Sequence, residues 1–97
     1  MITGKQRKYL KKLAHDLSPS VFLGKAGLTE NTRQEMEIAF EHRELVKVKL
    51  QEGFVGDAKE VANFLAEELD AEFIQAMGRK FTLYRESKEN KEIVLPR

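Results

Sequence analysis

The sequence contains no cysteine, and none of its apolar runs approaches the about 20 residues that a membrane-spanning helix needs. Without cysteine, disulfide bridges and thiolate chemistry are excluded, although the cellular compartment is left open. The N-terminal stretch MITGKQRKYLKKL lacks the apolar segment of a secretory signal peptide. We therefore expect one cytoplasmic domain over residues 1–97, with its core at about 1–86 and a charged tail at 87–97.

Residues suited to catalysis or metal binding are also scarce. The two histidines, His15 and His42, have a spacing that matches no metal motif. The acidic cluster at 67–72 is interpreted as the solvated face and end of a helix. The nucleotide-binding motif G-x-x-x-x-G-K-[ST] is absent as well. These observations predict a protein without catalytic residues, metal or cofactor.

Charge, by contrast, is plentiful and segregated along the chain. Residues 1–49 contain ten basic and six acidic residues, a net charge of +4, whereas residues 50–97 contain seven and ten, a net charge of −3. The first 25 residues hold six basic residues and one acidic residue. This asymmetry indicates an anionic partner for one side of the molecule.

Periodicity and capping residues predict a single α/β domain. An N-terminal helix begins after Thr3 and ends before Pro19, and two further helices begin after Thr29 and Asp57. Strands are expected at 20–23, 44–50, 72–77 and 80–85. Strand–helix–strand units favour parallel pairs, and the last two strands form a hairpin. The expected fold is a helix followed by β-α-β-α-β-β, with helices packed on a mixed four-stranded sheet.

Each helix has an apolar side that we expect to face the core. Glutamates occupy the opposite side of the third helix. The expected core residues are Leu10, Leu13, Ala14 and Leu17 in the first helix, Thr32, Met36, Ala39 and Phe40 in the second, and Val61, Ala62, Phe64, Leu65 and Leu69 in the third.

The strands differ in how clearly their faces can be assigned. Residues 20–23 are interpreted as a fully buried strand. In the second strand, Lys47 and Lys49 alternate with inward apolar residues, which predicts one basic face. In the third strand, the sequence leaves open whether Phe73 or Ile74 faces the helices.

The stretch VFLGKAGLTENT, residues 21–32, joins a strand to a helix through two glycines and a lysine. Such a junction is either a plain tight turn or a phosphate site, because loop N–H groups and a helix N-terminus attract anions. A second G-x-x-G match, Gly53 to Gly56, has no basic residue and leads to Asp57, whose carboxylate repels phosphate. Only the first loop is a candidate anion site. A G-x-x-G loop without nucleotide-binding features suits a nucleic-acid backbone, as in KH domains.

Lysines on an exposed helix face often serve only solubility, and that alternative stays open for the stripe on the first helix. The co-occurrence of this stripe with the glycine-lysine loop favours RNA binding. No strand carries the aromatic pair of an RRM, so base recognition by a stacked sheet is not expected.

The segments LGKAGLTENT, EHRELVKVKL and GRKFTLYR, in this order and spacing, resemble the CRM domain, the chloroplast RNA splicing and ribosome maturation domain. The resemblance covers about residues 1–86 and is greatest to the stand-alone bacterial form. It implies an RNA-binding module similar in fold to the C-terminal domain of translation initiation factor 3. It also implies association with precursors of the large ribosomal subunit, whereas plant members act in group II intron splicing.

By position, the RNA-contacting loop of this family corresponds to Gly24, Lys25, Ala26 and Gly27. The basic surface beside it corresponds to Lys5, Lys8 and Lys12 on the first helix, and to Arg79 and Lys80. We therefore expect a monomeric, non-enzymatic factor that contacts ribosomal RNA during large-subunit assembly. The rival hypothesis is a protein-interaction module that docks through its acidic third helix.

Overall fold

The seven predicted elements form in the predicted order in a computed structural model that describes residues 1–97. The helices are α1 (Gly4–His15), α2 (Glu30–His42) and α3 (Ala58–Glu68), and the strands are β1 (Val21–Leu23), β2 (Leu45–Leu50), β3 (Glu72–Met77) and β4 (Lys80–Tyr84). No helix has the length and apolarity needed to cross a bilayer.

The helices begin where the capping residues predict. Thr3 accepts a hydrogen bond from the Gln6 N–H at 3.1 Å, and the Gln6 side chain accepts from the Thr3 N–H at 2.9 Å. Thr29 caps α2 in the same reciprocal way with Thr32. At α3, Asp57 accepts from the Glu60 N–H at 3.1 Å, but the Glu60 side chain does not accept from the Asp57 N–H, so the reciprocal pair of bonds is not formed. Local sequence therefore sets all three helix starts.

The sheet has the strand order β1-β2-β4-β3. β1 pairs with β2 in parallel, and β4 is antiparallel to both of its neighbours, β2 and β3. The predicted hairpin of the last two strands is confirmed. The expected pairing of β2 with β3 is wrong, because β4 lies between them; these two strands are parallel but not adjacent.

Helices cover both faces of the sheet. α2 and α3 pack on one face over a core cluster of 16 buried residues that includes Met36, Val48 and Phe81. α1 packs on the opposite face over a smaller cluster, here called the α1 cluster: Leu10, Ala14, Leu45, Ile74 and Tyr84. Burial and the nearby carboxylates of Glu44 and Glu86 raise the pKa of Tyr84 to about 12, so its phenol stays protonated.

Three apolar residues expected in the core are exposed instead. Leu13 of α1 is 38% exposed and Phe64 of α3 is 53% exposed, because each lies at the margin of its helix's apolar stripe. Phe22 of β1 is 48% exposed, although Val21 and Leu23 on either side are buried. β1 is therefore not fully buried: its central side chain points to the α1 face of the sheet, opposite to its neighbours.

A β-bulge explains why the sequence could not orient β3. The register shifts between Phe73 and Gln75, so Ile74 is the extra residue. Phe73 and Ala76 both pack on the α2–α3 side, whereas Ile74 is fully buried in the α1 cluster. Strict alternation does not allow this arrangement, and both sequence-based alternatives were therefore incomplete.

The segment after β4 is tied to the fold by the carboxylate of Glu44, which is only 1% exposed. Its two oxygens accept hydrogen bonds from the backbone N–H groups of Ser87 at 2.7 Å, Glu92 at 2.8 Å and Ile93 at 2.8 Å. Burial on its own raises the pKa of Glu44, but these three bonds, with Lys91 nearby, bring its pKa below the usual value. The carboxylate therefore stays charged and holds the chain turn at 87–93.

The end of the tail then crosses α1. Ile93 and Leu95 pack against the α1 cluster, and the Gln6 amide donates to the Pro96 carbonyl at 3.0 Å. The apolar residues of the tail thus complete the α1 side of the domain.

Candidate nucleic-acid interface

The predicted anion-binding loop is a tight turn at the carboxyl end of β1. The Gly27 N–H donates to the Gly24 carbonyl at 3.0 Å, and Lys25 and Ala26 are exposed between them. Gly27 has φ 73°, which favours glycine, whereas Gly24 has no positive φ, and a Cβ there would meet only Gln51 Oε1 at 3.5 Å. The backbone therefore requires glycine at 27 but not at 24.

Several N–H groups in this turn are available to an anion. The amides of Lys25, Ala26 and Leu28 donate to no protein atom. The α2 N-terminus follows directly, capped by the neutral Thr29 as expected, but Glu30 adds a negative charge in its first turn. Glu30 partly offsets the helix dipole, so Lys25 and the turn amides supply most of the attraction for an anion.

The second G-x-x-G loop packs against the first one. An ideal Cβ on Gly53, whose φ is 98°, would lie 3.5 Å from the Lys25 Cβ. Gly56 has φ 150°, and a Cβ there would approach Phe54 Cε1 to 2.8 Å. Gly56 is therefore explained by close packing against the buried Phe54, whereas Gly53 is explained by its positive φ and its close approach to Lys25.

Arg79, in the β3–β4 turn, fastens this second loop. Its Nη2 donates to the carbonyls of Phe54 at 2.9 Å and Gln51 at 3.4 Å, and its Nη1 donates to the Gly56 carbonyl at 3.3 Å. The sequence assigned Arg79 to RNA contact, but its guanidinium donors point at loop carbonyls. RNA contact by Arg79 stays a prediction, and its positive charge lies beside the loop that packs near Lys25.

The predicted lysine stripe on α1 is exposed along its whole length. An open groove there is lined by Lys5, Lys8, Lys11, Lys12, Tyr9, His15, Asp16 and Pro96. None of these four lysines forms an ion pair with a protein carboxylate. The stripe is therefore free to meet an external anion.

A second groove continues the positive surface from α1 onto the sheet. It lies between His15 and the β3–β4 turn, and Lys47, Arg79 and Lys80 line it. His15 belongs to both grooves, and Arg79 contacts the loop that packs on Lys25. Two grooves that share His15 thus join the basic residues of α1, β2 and the β3–β4 turn, and Lys25 lies next to the loop that Arg79 binds. This set is here called the basic band: Lys5, Lys8, Lys11, Lys12, His15, Lys47, Arg79, Lys80 and Lys25.

The acidic face expected on α3 is also present, on the other side of the sheet. Glu60, Glu67 and Glu68 are exposed there, and so is the ring of Phe64. The acidic face of α3 therefore lies across the sheet from the lysine stripe on α1.

Fold and site together define a small α/β domain that presents a glycine-lysine turn at the carboxyl end of a parallel strand pair, beside a basic helix. The CRS1 / YhbY (CRM) domain matches residues 2–85 of this chain. The chain belongs to this family, which confirms the resemblance inferred from its three sequence segments.

Relatives of nearly the same length are similar throughout. The chain is 40% identical over 96 residues to "Probable RNA-binding protein YqeI" of Bacillus subtilis, a match that covers 99% of this chain and 100% of the relative. It is 42% identical over 96 residues to a Haemophilus influenzae protein named "RNA-binding protein", with 99% and 96% covered. The solution structure of the hypothetical protein SAV1595 from Staphylococcus aureus has a TM-score of 0.83 and 45% identity, and the match covers 99% of this chain and 100% of that one. The fold is therefore shared with a solved relative.

Proposed function

We propose that this protein binds ribosomal RNA through the turn at residues 24–27 and the basic band, and that it acts without catalysis in assembly of the large ribosomal subunit. The observation that carries the proposal is the pair of grooves that share His15 and join the cations of α1, β2 and the β3–β4 turn, with Lys25 next to the loop that Arg79 binds. Two relatives, matched over 100% and 96% of their own length, are named "Probable RNA-binding protein YqeI" and "RNA-binding protein".

The chemistry of the surface suits a phosphate backbone better than a small ligand. Its cations lie in open grooves and not in an enclosed cavity, and the turn offers unpaired amides next to Lys25. Phosphate contacts of this kind fix the position of a nucleic acid without reading its sequence. The particular RNA, ribosomal RNA of the large subunit, is proposed from the resemblance to stand-alone bacterial CRM proteins.

Crosslinking in living cells tests this proposal. The tagged protein is crosslinked to RNA with ultraviolet light, and the attached fragments are sequenced. The expected result is enrichment of large-subunit ribosomal RNA and its precursors over an untagged strain. Fragments spread evenly over messenger RNAs would contradict the ribosomal assignment, and an absence of crosslinks above background would contradict RNA binding.

The second candidate, a protein-docking module, is favoured by one specific observation. Phe64 is 53% exposed on the acidic face of α3, and aromatic residues are enriched at protein interfaces. A pull-down of assembling particles with Phe64→Ser distinguishes the two functions. Loss of particle association with normal binding to purified RNA supports docking through α3, whereas unchanged association supports recruitment by RNA alone.

A further inference from the structure

A row of four side chains crosses all four strands on the α1 face of the sheet. Phe22 pairs with Lys49, Lys49 with Lys80, and Lys80 with Met77. Residues opposite each other in paired strands point to the same face, with Cβ atoms about 4.5–5.5 Å apart. The row therefore has two lysines in its centre and an apolar side chain at each end.

This row is open to solvent. α1 covers only the far end of the same face, where Leu45, Ile74 and Tyr84 are buried. Beyond the end of α1, Phe22 is 48% exposed and Met77 is 67% exposed. A half-exposed ring with cations beside it can present a π-face to a ligand.

The row also lies next to the candidate phosphate site. Phe22 precedes Lys25 by three residues, so their Cα atoms lie at most about 10 Å apart. Lys80 belongs to the basic band through its groove with Lys47 and His15. A strand of RNA with a phosphate at the Lys25 turn can therefore continue onto the row.

We infer that Phe22 is a stacking platform for an unpaired base of single-stranded RNA, with Lys49 and Lys80 beside it as partners for the neighbouring phosphates. This inference rests on the proposed function and adds to it the form of RNA recognised. Proteins that bind single strands combine a positively charged path with aromatic rings on which bases stack. A duplex cannot use such a ring, because its bases are already stacked in pairs.

The sequence argued against an RRM-like sheet because no strand carries an aromatic pair. An RRM sheet stacks two or three bases on such aromatic residues, but a single ring can stack one base. The strand is only three residues long and wholly apolar, so its alternation could not be recognised in the sequence.

The absence of tryptophan from the chain allows a direct test. Phe22→Trp introduces a single fluorophore on the row, and Phe64→Trp introduces one on the acidic face of α3 as a matched control. Each variant is titrated with a single-stranded oligouridylate and with a duplex RNA of equal length. The expected result is saturable quenching at position 22 by the single strand only, and no quenching at position 64.

Affinity measurements give a second readout. Phe22→Ala should weaken single-strand binding by roughly 5- to 140-fold, the range measured for removal of one stacking ring. The salt slope should stay unchanged, because no charge is lost, whereas Lys49→Gln should flatten it by about 0.7. Circular dichroism at the temperature of the titrations confirms that each variant is folded.

The outcomes separate the inference from the function beneath it. The stacking site would be overturned, and RNA binding left intact, if the wild-type protein binds RNA but two results fail to appear. These are quenching of the fluorophore at position 22 and a loss of affinity in Phe22→Ala. Equal quenching by duplex RNA would overturn stacking in favour of simple proximity to phosphate. Failure of the wild-type protein to bind any RNA would overturn both the inference and the proposed function.

Discussion

Arg79 donates a hydrogen bond from its Nη2 to the carbonyl oxygen of Phe54 at 2.9 Å, across 25 residues of sequence. The bond connects the β3–β4 turn to the loop on which Lys25 packs. The loop next to the candidate RNA-binding turn is therefore bonded to a residue from a different part of the chain.

Replacing Arg79 by lysine should loosen this loop while preserving the charge. Lysine cannot reach three carbonyls with one ammonium group, so we expect a loss of about 1 kcal/mol in the free energy of unfolding. Amide hydrogen exchange at Phe54, whose N–H donates to Gln51, should accelerate. Lys80→Gln is the control: it removes a neighbouring charge and should leave that exchange rate unchanged. An unaltered exchange rate in Arg79→Lys would show that the loop keeps its conformation without the hydrogen bonds of Arg79.

The two glycines of the turn at 24–27 should differ in their tolerance of a side chain. Gly27→Ala places an L-residue at φ 73° and should cost about 1–2 kcal/mol of stability, whereas Gly24→Ala should cost less than about 0.5 kcal/mol. Urea unfolding measures both values. Equal costs at the two positions would contradict the turn geometry described above.

Gly56→Val should be more destabilising than Gly24→Val, because a Cβ at 56 would approach Phe54 to 2.8 Å. Among folded molecules, Gly24→Val should weaken RNA binding more than Gly56→Val does, since only the first loop offers free amides beside a lysine. Filter binding corrected for the folded fraction compares them. Equal residual affinities would remove the functional distinction between the loops.

The Glu44 carboxylate predicts a pH dependence of stability. Its pKa is lowered on folding, so it stabilises the fold above the unfolded value of about 4.3 and loses that contribution as the pH falls through the folded value. Glu44→Gln should cost roughly 2 kcal/mol at pH 7 and should flatten the decline in acid. The exposed Glu41→Gln is the matched control. Parallel stability curves for wild type and Glu44→Gln below pH 4.5 would contradict the role of this carboxylate.

The lysine stripe on α1 is tested by salt dependence. Replacing Lys5, Lys8 and Lys12 together by glutamine keeps helix propensity nearly level and removes three exposed charges. If each lysine meets a phosphate, the slope of log K against log salt should flatten by roughly 2–3 units. A folded triple variant with unchanged slope and affinity would restrict the RNA path to Lys25, Lys47 and Lys80.

Most of the fold could be predicted because its signals are local. The caps at Thr3, Thr29 and Asp57 and the helical periodicity after each of them are contained in short windows of sequence. The insertion of β4 between β2 and β3 has no such signal, because periodicity identifies a strand but not its neighbours. The bulge at Ile74 could not be predicted either, because one extra residue breaks the period-two alternation by which the two faces of a strand are assigned.

The sequence predicted the charged residues of the candidate site but not the hydrogen bonds that hold the loop beside it. Lys25 and the α1 lysines could be recognised from charge and spacing, and the structure exposes them. The hydrogen bonds of Arg79 to the carbonyls of Gln51, Phe54 and Gly56 could not be predicted from the sequence. Bonds between a side chain and a carbonyl more than 20 residues away leave no pattern there. The exposure of Phe22 was equally invisible in a three-residue apolar strand.

The most direct test of RNA binding through the glycine-lysine turn is the affinity of Lys25→Glu for large-subunit ribosomal RNA, measured beside Lys88→Glu. Both residues are exposed, and Lys88 lies beside the opposite end of α2. The two variants have the same net charge, because each replaces one lysine by glutamate. Each should keep its stability within about 0.5 kcal/mol. We predict that Lys25→Glu loses roughly tenfold or more in affinity, whereas Lys88→Glu binds nearly as the wild type does. Equal affinities of the two variants would contradict the account and reduce residues 24–27 to a turn between a strand and a helix.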